Sequence, residues 1–431
     1  MRDDQPSAER PVPDGTNAER PDPRRPGADG RLRPDAAGGP VRFPEGFAWG
    51  AATAAYQVEG AVRTGGRLPS VWDTFAHAPG AVHRSQTGDV AADHCHRLAE
   101  DVSLLADLGV THYRFSLSWP RVQPEGYGPL NGAGLDFYSR LLDGLLGHGI
   151  RPWATLYHWD LPQSLQDAGG WPRRATAEHF AAWAVAVHER LGDRIAAWTT
   201  VHDPWSAAFA GYGTGLHAPG LTDPAAAVRA SHHLLLAHGL ALRALRSRGA
   251  RAPIGIALGL APRGDGPPDA WFLGPLLRGA YPADAMPGEH VLGGDLELIS
   301  APLDFLDAHC CGRSPGEVHA ALTGLHRHYD PPPLYLTADG GAFEDLRTGD
   351  GRVHDEERRL GLAARLAAAH RALGEGVDLR GFLVHPLLDC FAWEHGYGRR
   401  TGLVHVDFGT QRRTLKDSGR WYAEVTRANA L

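Results

Sequence analysis

The chain has 431 residues, of which 43% are hydrophobic and 22% are charged, and its formal net charge is −7. This length and composition fit one large, well-packed globular domain. The negative charge argues against nucleic acid or an anionic membrane as the main partner, and no apolar run is long enough to span a membrane. The N-terminus lacks the hydrophobic segment of a secretory signal, so we expect a cytoplasmic protein.

The first 40 residues differ in composition from the rest of the chain. They are rich in Pro, Gly, Arg and Asp, and their only large apolar residues are Met1, Val12 and Leu32. Such a segment cannot bury enough apolar surface to offset the entropy lost on ordering. We predict a disordered tail over 1–40 and one folded domain over 41–431. A transit peptide is the alternative for the tail, although its acidic residues argue against it.

From Val41 onward, short β-rich runs alternate with amphipathic helical stretches. The helical stretches, such as EHFAAWAVAVHERLG, repeat their apolar residues at three- and four-residue spacing. The predicted strands lie in eight runs: 47–57, 111–119, 151–159, 196–204, 254–260, 305–311, 334–340 and 379–389. Eight strands separated by helices predict an α/β fold, a single (β/α)₈ TIM barrel.

Polar and aromatic residues gather where these predicted strands end. They are Gln57, Arg114, His158, Trp159, His202, Asp203, His309, Asp339 and His385. In a TIM barrel the C-terminal ends of the strands form one rim, and that rim carries the chemistry. We therefore predict the functional site at this rim. The four cysteines have no CxxC spacing, so neither a disulfide framework nor a zinc ribbon is indicated.

Several segments identify a family resemblance. FPEGFAWGAATAAYQVEG, TGDVAADHCHR, THYRFSLSWPRVQPEG, LYHWDLPQ, WSAAFAGYGTGLHAPG, DLELISAPLDFL and TQRRTLKDSGRWY resemble glycoside hydrolase family 1, the β-glucosidase family, in the expected order from about Phe43 to about Val425. The resemblance implies a (β/α)₈ barrel, no metal or organic cofactor, and a pocket for a β-linked sugar.

The resemblance also implies roles for individual residues. Gln57 and His158 match residues that hydrogen-bond sugar hydroxyls, Trp159 and Trp393 match aromatic residues of the same pocket, and Arg114 matches the arginine beside the nucleophile. An aromatic ring suits the apolar face of a pyranose, and polar groups suit its hydroxyls. The alternative is that these polar residues only satisfy a buried network at the barrel mouth.

The catalytic positions depart from the family pattern. A retaining glycosidase needs two carboxyl groups roughly 5–5.5 Å apart. The resemblance implies glutamates after strands four and seven, where this chain has Asp203 and Ala338. Asp203 keeps a shorter carboxyl group, whereas the methyl group of Ala338 cannot act as a nucleophile. Asp339 is the neighbouring candidate, but adjacent residues on a strand point to opposite faces.

Other pocket positions differ as well. His202 stands in place of an asparagine, His309-Cys310-Cys311 in place of Asn-Tyr-Tyr, and His385 in place of a tryptophan. Because histidine titrates near neutral pH, these replacements favour acid/base chemistry. We predict that the barrel does not perform ordinary retaining glycoside hydrolysis and acts instead on a non-sugar small molecule, such as a natural-product intermediate.

In that prediction the catalytic residues are Asp203, His202 and Asp339. The substrate-binding residues are Gln57, Arg114, His158, Trp159, His309, Cys310, His385 and Trp393. Alternatives are a metal bound through His, Cys and Asp, a non-catalytic protein that binds a small molecule or another protein, and a slow O-glycosyl hydrolase using Asp203 with Asp339 or water. The expected partner is a small-molecule ligand at the barrel mouth, and a homo-oligomer is left open.

Overall fold

The computed structural model describes residues 41–260, 267–283 and 288–431. The predicted disordered tail over 1–40 lies outside these residues. Within them, no helix combines the length and the apolar character needed to cross a membrane.

Eight parallel strands close into a barrel. Each strand pairs with the next in the chain, and β8 pairs with β1 to complete the ring. The strands are β1 (Ala48–Thr53), β2 (His112–Ser116), β3 (Arg151–Tyr157), β4 (Ala197–His202), β5 (Ile254–Gly259), β6 (Phe305–His309), β7 (Leu334–Ala338) and β8 (Leu379–Val384). A short antiparallel hairpin follows, with β9 (Val404–Asp407) and β10 (Arg412–Leu415). The predicted (β/α)₈ barrel is confirmed.

Helices connect and surround the strands. In chain order they are α1 (Ala55–Val58), α2 (Val71–His77), α3 (His94–Leu108), α4 (Trp119–Val122), α5 (Gly132–Gly147), α6 (Gln163–Asp167), α7 (Arg174–Leu191), α8 (Pro224–Ser247), α9 (Pro267–Arg278), α10 (Asp295–Ile299), α11 (Pro315–Tyr329), α12 (Glu356–Gly374) and α13 (Asp417–Ala428).

Local sequence explains where several of these helices begin. The Asp223 carboxylate accepts hydrogen bonds from the first amides of α8, and Pro224 supplies a backbone angle suited to a first helical position. At the start of α11, Ser314 and Glu317 form a reciprocal capping box. These caps satisfy amides that the helices cannot pair internally.

The barrel interior is filled in layers. Trp153 packs edge-on against Phe305 at 4.9 Å and against Tyr335 at 4.8 Å, within a cluster that also contains Ala52 and Leu383. Because side chains alternate along a strand, the inward residues that follow Phe305 on β6 stand progressively nearer the mouth. The packed layer therefore closes the barrel beneath the polar residues of its C-terminal rim.

The two ends of the barrel sequence meet. The side chain of Asn429, just after α13, accepts a hydrogen bond from Trp49 Nε1 at 2.9 Å and donates to the carbonyl oxygen of Phe43 at 2.8 Å. The amide of Leu431 donates to the carbonyl oxygen of Val41 at 2.9 Å. Tyr422 of α13 donates to the carbonyl oxygen of Gly50 at 2.9 Å, so the last helix is fixed to β1.

Candidate functional site

Four histidines from four strand ends meet at the mouth of the barrel. His202 and His309 end β4 and β6, while His158 and His385 directly follow β3 and β8. Ring centroids lie 3.8 Å apart for His158 and His202, 4.6 Å for His202 and His309, and 5.8 Å for His309 and His385. We call these four residues the histidine cluster. The structure therefore brings together four of the residues predicted for the site.

Burial keeps the histidine cluster uncharged near neutral pH. Loss of solvation lowers the pKa of His158, His202 and His309 well below the ordinary value, and it lowers the pKa of His385 to about 3. The positive charge of Arg114 lowers the pKa of all four further. Each ring thus presents one donor and one acceptor nitrogen.

Arg114 and Asp307 form the floor beneath the histidine cluster. The Arg114 guanidinium pairs with the Asp307 carboxylate, which also accepts from Thr337 Oγ1 at 2.9 and 3.1 Å. Burial lowers the pKa of Arg114 to about 10, which leaves it charged at neutral pH. Asp307 was absent from the predicted site. Phe305, Asp307 and His309 alternate along β6 and therefore face the same side of the strand, so this spacing could have indicated Asp307 as a site residue.

Tryptophans form one wall of the mouth. The Trp393 ring lies 4.6 Å from Trp159 and 5.8 Å from His158. Trp159 Nε1 donates to the carbonyl oxygen of His202 at 3.0 Å, which fixes the indole against β4. An aromatic wall beside polar groups is an arrangement suited to a sugar ring.

Gln57 contributes from the helical turn after β1. Its Nε2 donates to the carbonyl oxygen of Phe391 at 2.9 Å, while its buried Oε1 has no partner among the described residues. The side chain is thus oriented by the protein and keeps one acceptor for a ligand hydroxyl.

Three residues of the mouth adopt left-handed backbone angles that only glycine takes readily. The φ values are 75° at Trp159, 40° at Asp203 and 52° at Trp393. Such angles cost about 1–3 kcal/mol each and persist where the surrounding structure enforces them, often at functional sites. The pocket wall and Asp203 are therefore held in place by their context.

The Asp203 carboxyl group lies near the end of β5. Oδ2 accepts from Ser206 Oγ at 2.6 Å, and both oxygens lie against Gly259, where an added methyl group would meet them at 3.0–3.1 Å. Ser206 opens a π-helical segment, Ser206–Gly213, a rare geometry that is often found at functional sites. Burial raises the pKa of Asp203, although the Ser206 hydrogen bonds oppose this.

A cavity of about 10 Å³ adjoins Asp203 and is lined also by Trp205 and Phe272. That volume is close to the roughly 10–15 Å³ needed for one water molecule. Asp203 thus combines a carboxyl group of raised pKa with an adjoining cavity close to the size of one water molecule.

Asp339 is held by other groups. Its carboxylate accepts from the Gly312 amide at 3.1–3.2 Å and lies 3.7 Å from Arg365 of α12. No hydrogen bond or ion pair of the described residues joins Asp339 to the histidine cluster. Ala338 is fully buried at the end of β7, and its carbonyl oxygen accepts from the amide of His385 at 3.0 Å.

The two neighbouring cysteines have different surroundings. Cys310 is fully buried in the hydrophobic core, whereas Cys311 Sγ lies 3.8 Å from the carbonyl oxygen of His385. Burial raises the pKa of Cys311 well above its ordinary value, so it is a thiol at neutral pH. Cys311 is therefore the cysteine nearer the predicted pocket. Among the residues that the structure describes, no group of three His, Cys, Asp or Glu could hold a metal ion.

The chain is similar to proteins of known activity over most of its length. The family profile described as glycosyl hydrolase family 1 matches residues 40–306 and 311–431. A thermostable β-glucosidase B from Thermobispora bispora is 46% identical, covering 92% of this chain and 93% of that protein. β-Glucosidase A from Thermotoga maritima is 39% identical, covering 90% of this chain and 99% of that protein.

The fold agrees with solved structures of that kind. A β-glucosidase from Thermotoga maritima, solved in complex with noeuromycin, superposes with a TM-score of 0.87 at 38% identity. The superposition covers 91% of this chain and all of the solved chain.

These relatives overturn the predicted function. The prediction that the pocket has abandoned ordinary glycoside hydrolysis for a non-sugar small molecule is wrong, and nothing in the relatives supports a natural-product intermediate. It rested on single residues, chiefly Ala338 and the replaced histidine positions. Substitutions at strand ends change individual groups, whereas the similarity to the β-glucosidases extends over most of the chain and over the fold. By the extent of both the profile match and the relatives' similarity, the chain belongs to glycosyl hydrolase family 1.

Proposed function

We propose that this chain hydrolyses β-glucosides at the barrel mouth. The observation that carries the proposal is that relatives at 38–46% identity over most of the chain are named β-glucosidases. A second observation supports the proposal, because residue types that bind a pyranose lie together at one rim: Gln57, His158, Trp159 and Trp393.

The glycone would lie between the tryptophan wall and the histidine cluster. The free Oε1 of Gln57 accepts from a sugar hydroxyl, and the neutral imidazoles both donate and accept. Trp393 covers the apolar face of the ring. This arrangement leaves the glycosidic oxygen to be protonated by a carboxyl group at the rim.

Asp203 is the proton donor in this proposal. As the glycosidic bond breaks, its electron pair goes to the leaving oxygen, which takes the Asp203 proton, while water attacks the anomeric carbon. The sugar, the alcohol and one proton result, and that proton restores Asp203. The raised pKa of Asp203 favours this role because the acid form persists to higher pH than for a free aspartate.

The test is hydrolysis of aryl β-glucosides and aryl β-galactosides by wild type, Asp203→Ala and Asp339→Ala at high protein concentration. We expect Asp203→Ala to lose about 10²-fold or more in kcat/KM on a phenyl β-glucoside. The loss should be much smaller on a dinitrophenyl β-glucoside, because that leaving group departs without a proton. Asp339→Ala is the matched carboxylate control and should keep wild-type turnover, because the Asp339 carboxylate is bound by the Gly312 amide and lies near Arg365. A loss as large as that of Asp203→Ala would instead assign Asp339 a catalytic role. Equal turnover by wild type and Asp203→Ala, or no turnover of any β-glycoside, would contradict the proposal.

The pH profile gives a second prediction. Because burial raises the pKa of Asp203, the donor is active below that pKa and is lost as pH rises through it. We expect kcat/KM on a phenyl β-glucoside to fall on the alkaline side, with no such fall in the residual rate of Asp203→Ala. If kcat/KM falls at the same alkaline pH in wild type and in Asp203→Ala, the fall is caused by the titration of another group.

The predicted cytoplasmic location and the open question of a homo-oligomer stay at the level of predictions from the sequence.

A further inference from the structure

Buried nitrogen atoms without partners converge at the histidine cluster. The Nδ1 atoms of His202, His309 and His385 are buried and have no hydrogen-bond partner among the described residues. His202 is 1% exposed and His385 is 8% exposed. An unsatisfied buried polar group is unfavourable, and three on neighbouring rings at the barrel mouth can be satisfied together by one polar ligand.

Three described carboxylates of the strand ends bind other groups. Asp203 is bound by Ser206, Asp339 by the Gly312 amide, and Asp307 by Arg114 and Thr337. None of the hydrogen bonds or ion pairs of the described residues joins an imidazole of the cluster to a carboxylate. The unpaired nitrogens of the cluster therefore have hydrogen-bonding capacity that no carboxylate contact of the described residues uses.

We propose that the histidine cluster binds a small oxyanion, a carboxylate or inorganic phosphate, together with one proton. An imidazole that takes up the proton becomes a donor at both nitrogens and compensates the charge of the anion. The backbone amide of His385 donates to the carbonyl oxygen of Ala338 at 3.0 Å, so the backbone of the cluster adjoins the strand end at which the family resemblance implies a nucleophile.

The oxyanion has a chemical role that rests on the proposed function. An oxygen of the anion attacks the anomeric carbon, the glycosidic bond breaks, and its electron pair goes to the leaving oxygen, which takes the Asp203 proton. With a carboxylate the product is a glycosyl ester, which water cleaves to the sugar and the carboxylic acid. With phosphate the product is a glycosyl phosphate. The bound anion thus supplies the nucleophile that Ala338 lacks.

Charged and titratable groups around the cluster set its pH dependence. Arg114 on β2 and Arg313 after β6 act on the cluster as cations, Asp307 pairs with Arg114, and Cys311 lies beside His385 as a thiol. Since the described groups leave the four rings neutral, anion binding requires proton uptake, and affinity should rise as pH falls.

Binding is tested by isothermal titration of the full chain with sodium formate and with inorganic phosphate. The titrations are repeated in two buffers of different ionisation enthalpy. We expect saturable binding with uptake of about one proton per anion, and weakening by about tenfold in His309→Asn, which keeps a polar side chain but cannot be protonated. The matched control is His179→Asn on α7, which stacks on Tyr127 outside the mouth and should bind as wild type. If His309→Asn does not fold, nitrogen NMR of the wild-type imidazoles on formate addition gives the same answer.

Activity is tested with an aryl β-glucoside in an anion-free buffer, with added formate or phosphate, and with chloride as the ionic-strength control. We expect formate to accelerate turnover by about tenfold or more, saturating where binding saturates, and phosphate to yield a glycosyl phosphate by mass spectrometry.

Absence of saturable anion binding would overturn this inference, and Asp203-dependent hydrolysis of β-glucosides would then still support the proposed function. Anion binding without turnover of any β-glycoside would support the oxyanion site and contradict the proposed function. The two failures are therefore distinguishable.

Discussion

Ala338 is the residue at which the chemistry of the site can be altered most simply. It is fully buried at the end of β7, where the family resemblance places a glutamate nucleophile. We expect Ala338→Glu to raise anion-free turnover of an aryl β-glucoside by at least about 10²-fold, because loss of a nucleophile costs several orders of magnitude in rate. Turnover should also become independent of formate, since the new carboxylate supplies the attacking oxygen.

The control for this variant is Ala338→Ser, which adds a polar atom without a carboxylate and should stay slow. A folded Ala338→Glu protein that remains as slow as wild type, and is still accelerated by formate, would show that position 338 does not face the sugar.

At the scale of single residues, the sequence predicts which strand ends come together but not which side chains pair with each other. Strand ends gather at one rim in any TIM barrel, so the convergence of the four histidines was predictable. The pairing of Asp307 with Arg114 was not predictable, because no sequence pattern shows which carboxylate a buried guanidinium pairs with. The same limit applies to the two neighbouring cysteines, because the sequence does not show that Cys310 packs in the core while Cys311 lies beside His385.

At the scale of elements, the start of α13 is fixed by a buried charge network. Lys416 Nζ lies 2.5 Å from Asp345 and 2.6 Å from Asp389, and its side chain is fully buried. Arg358 and Arg400 pair with these same two aspartates at 2.8 and 2.7 Å. The network joins α12, the loop after β8 and the strand that leads into α13.

We expect Lys416→Met to lower the free energy of unfolding by about 3 kcal/mol, because it removes the only cation that bridges the two buried carboxylates among the described residues and leaves each with fewer charged partners. Urea denaturation followed by circular dichroism measures the change. The control is Arg380→Ala, which removes an exposed pair with Asp378 and should cost only about 0–1 kcal/mol. Equal losses in both variants would show that the buried pair is not a stabilising contact.

The strands were predictable to within a few residues, whereas the irregular elements were not. The run 111–119 contains β2 at His112–Ser116, and the run 254–260 contains β5 at Ile254–Gly259. The π-helical segment Ser206–Gly213 gave no signal, because its residues would equally suit an ordinary helix. The segment lies between β4 and α8 in the chain.

At the scale of the whole molecule, Asn429 joins the two ends of the barrel sequence. It adopts a left-handed φ of 50° and bonds both Trp49 and the carbonyl oxygen of Phe43. We expect Asn429→Ala to lower the free energy of unfolding by about 2–3 kcal/mol, since it loses two hydrogen bonds and strains the backbone.

Asn429→Gly separates these two contributions. Glycine accepts the left-handed angle, so this variant should lose only about 1–2 kcal/mol from the missing hydrogen bonds. Thermal denaturation of both variants checks the order. A glycine variant as unstable as the alanine variant would place the whole effect in the side chain.

The contact between Leu431 and Val41 also implies that the β/α units could follow one another in a different order along the chain. Because their backbone atoms are already 2.9 Å apart across one hydrogen bond, a short linker could join residue 431 to residue 41 without moving either. New ends could then be opened in an exposed loop at the opposite rim from the histidine cluster. Such a circularly permuted barrel would keep every strand neighbour, so the barrel mouth would be formed by the same eight strand ends, synthesised in a different order.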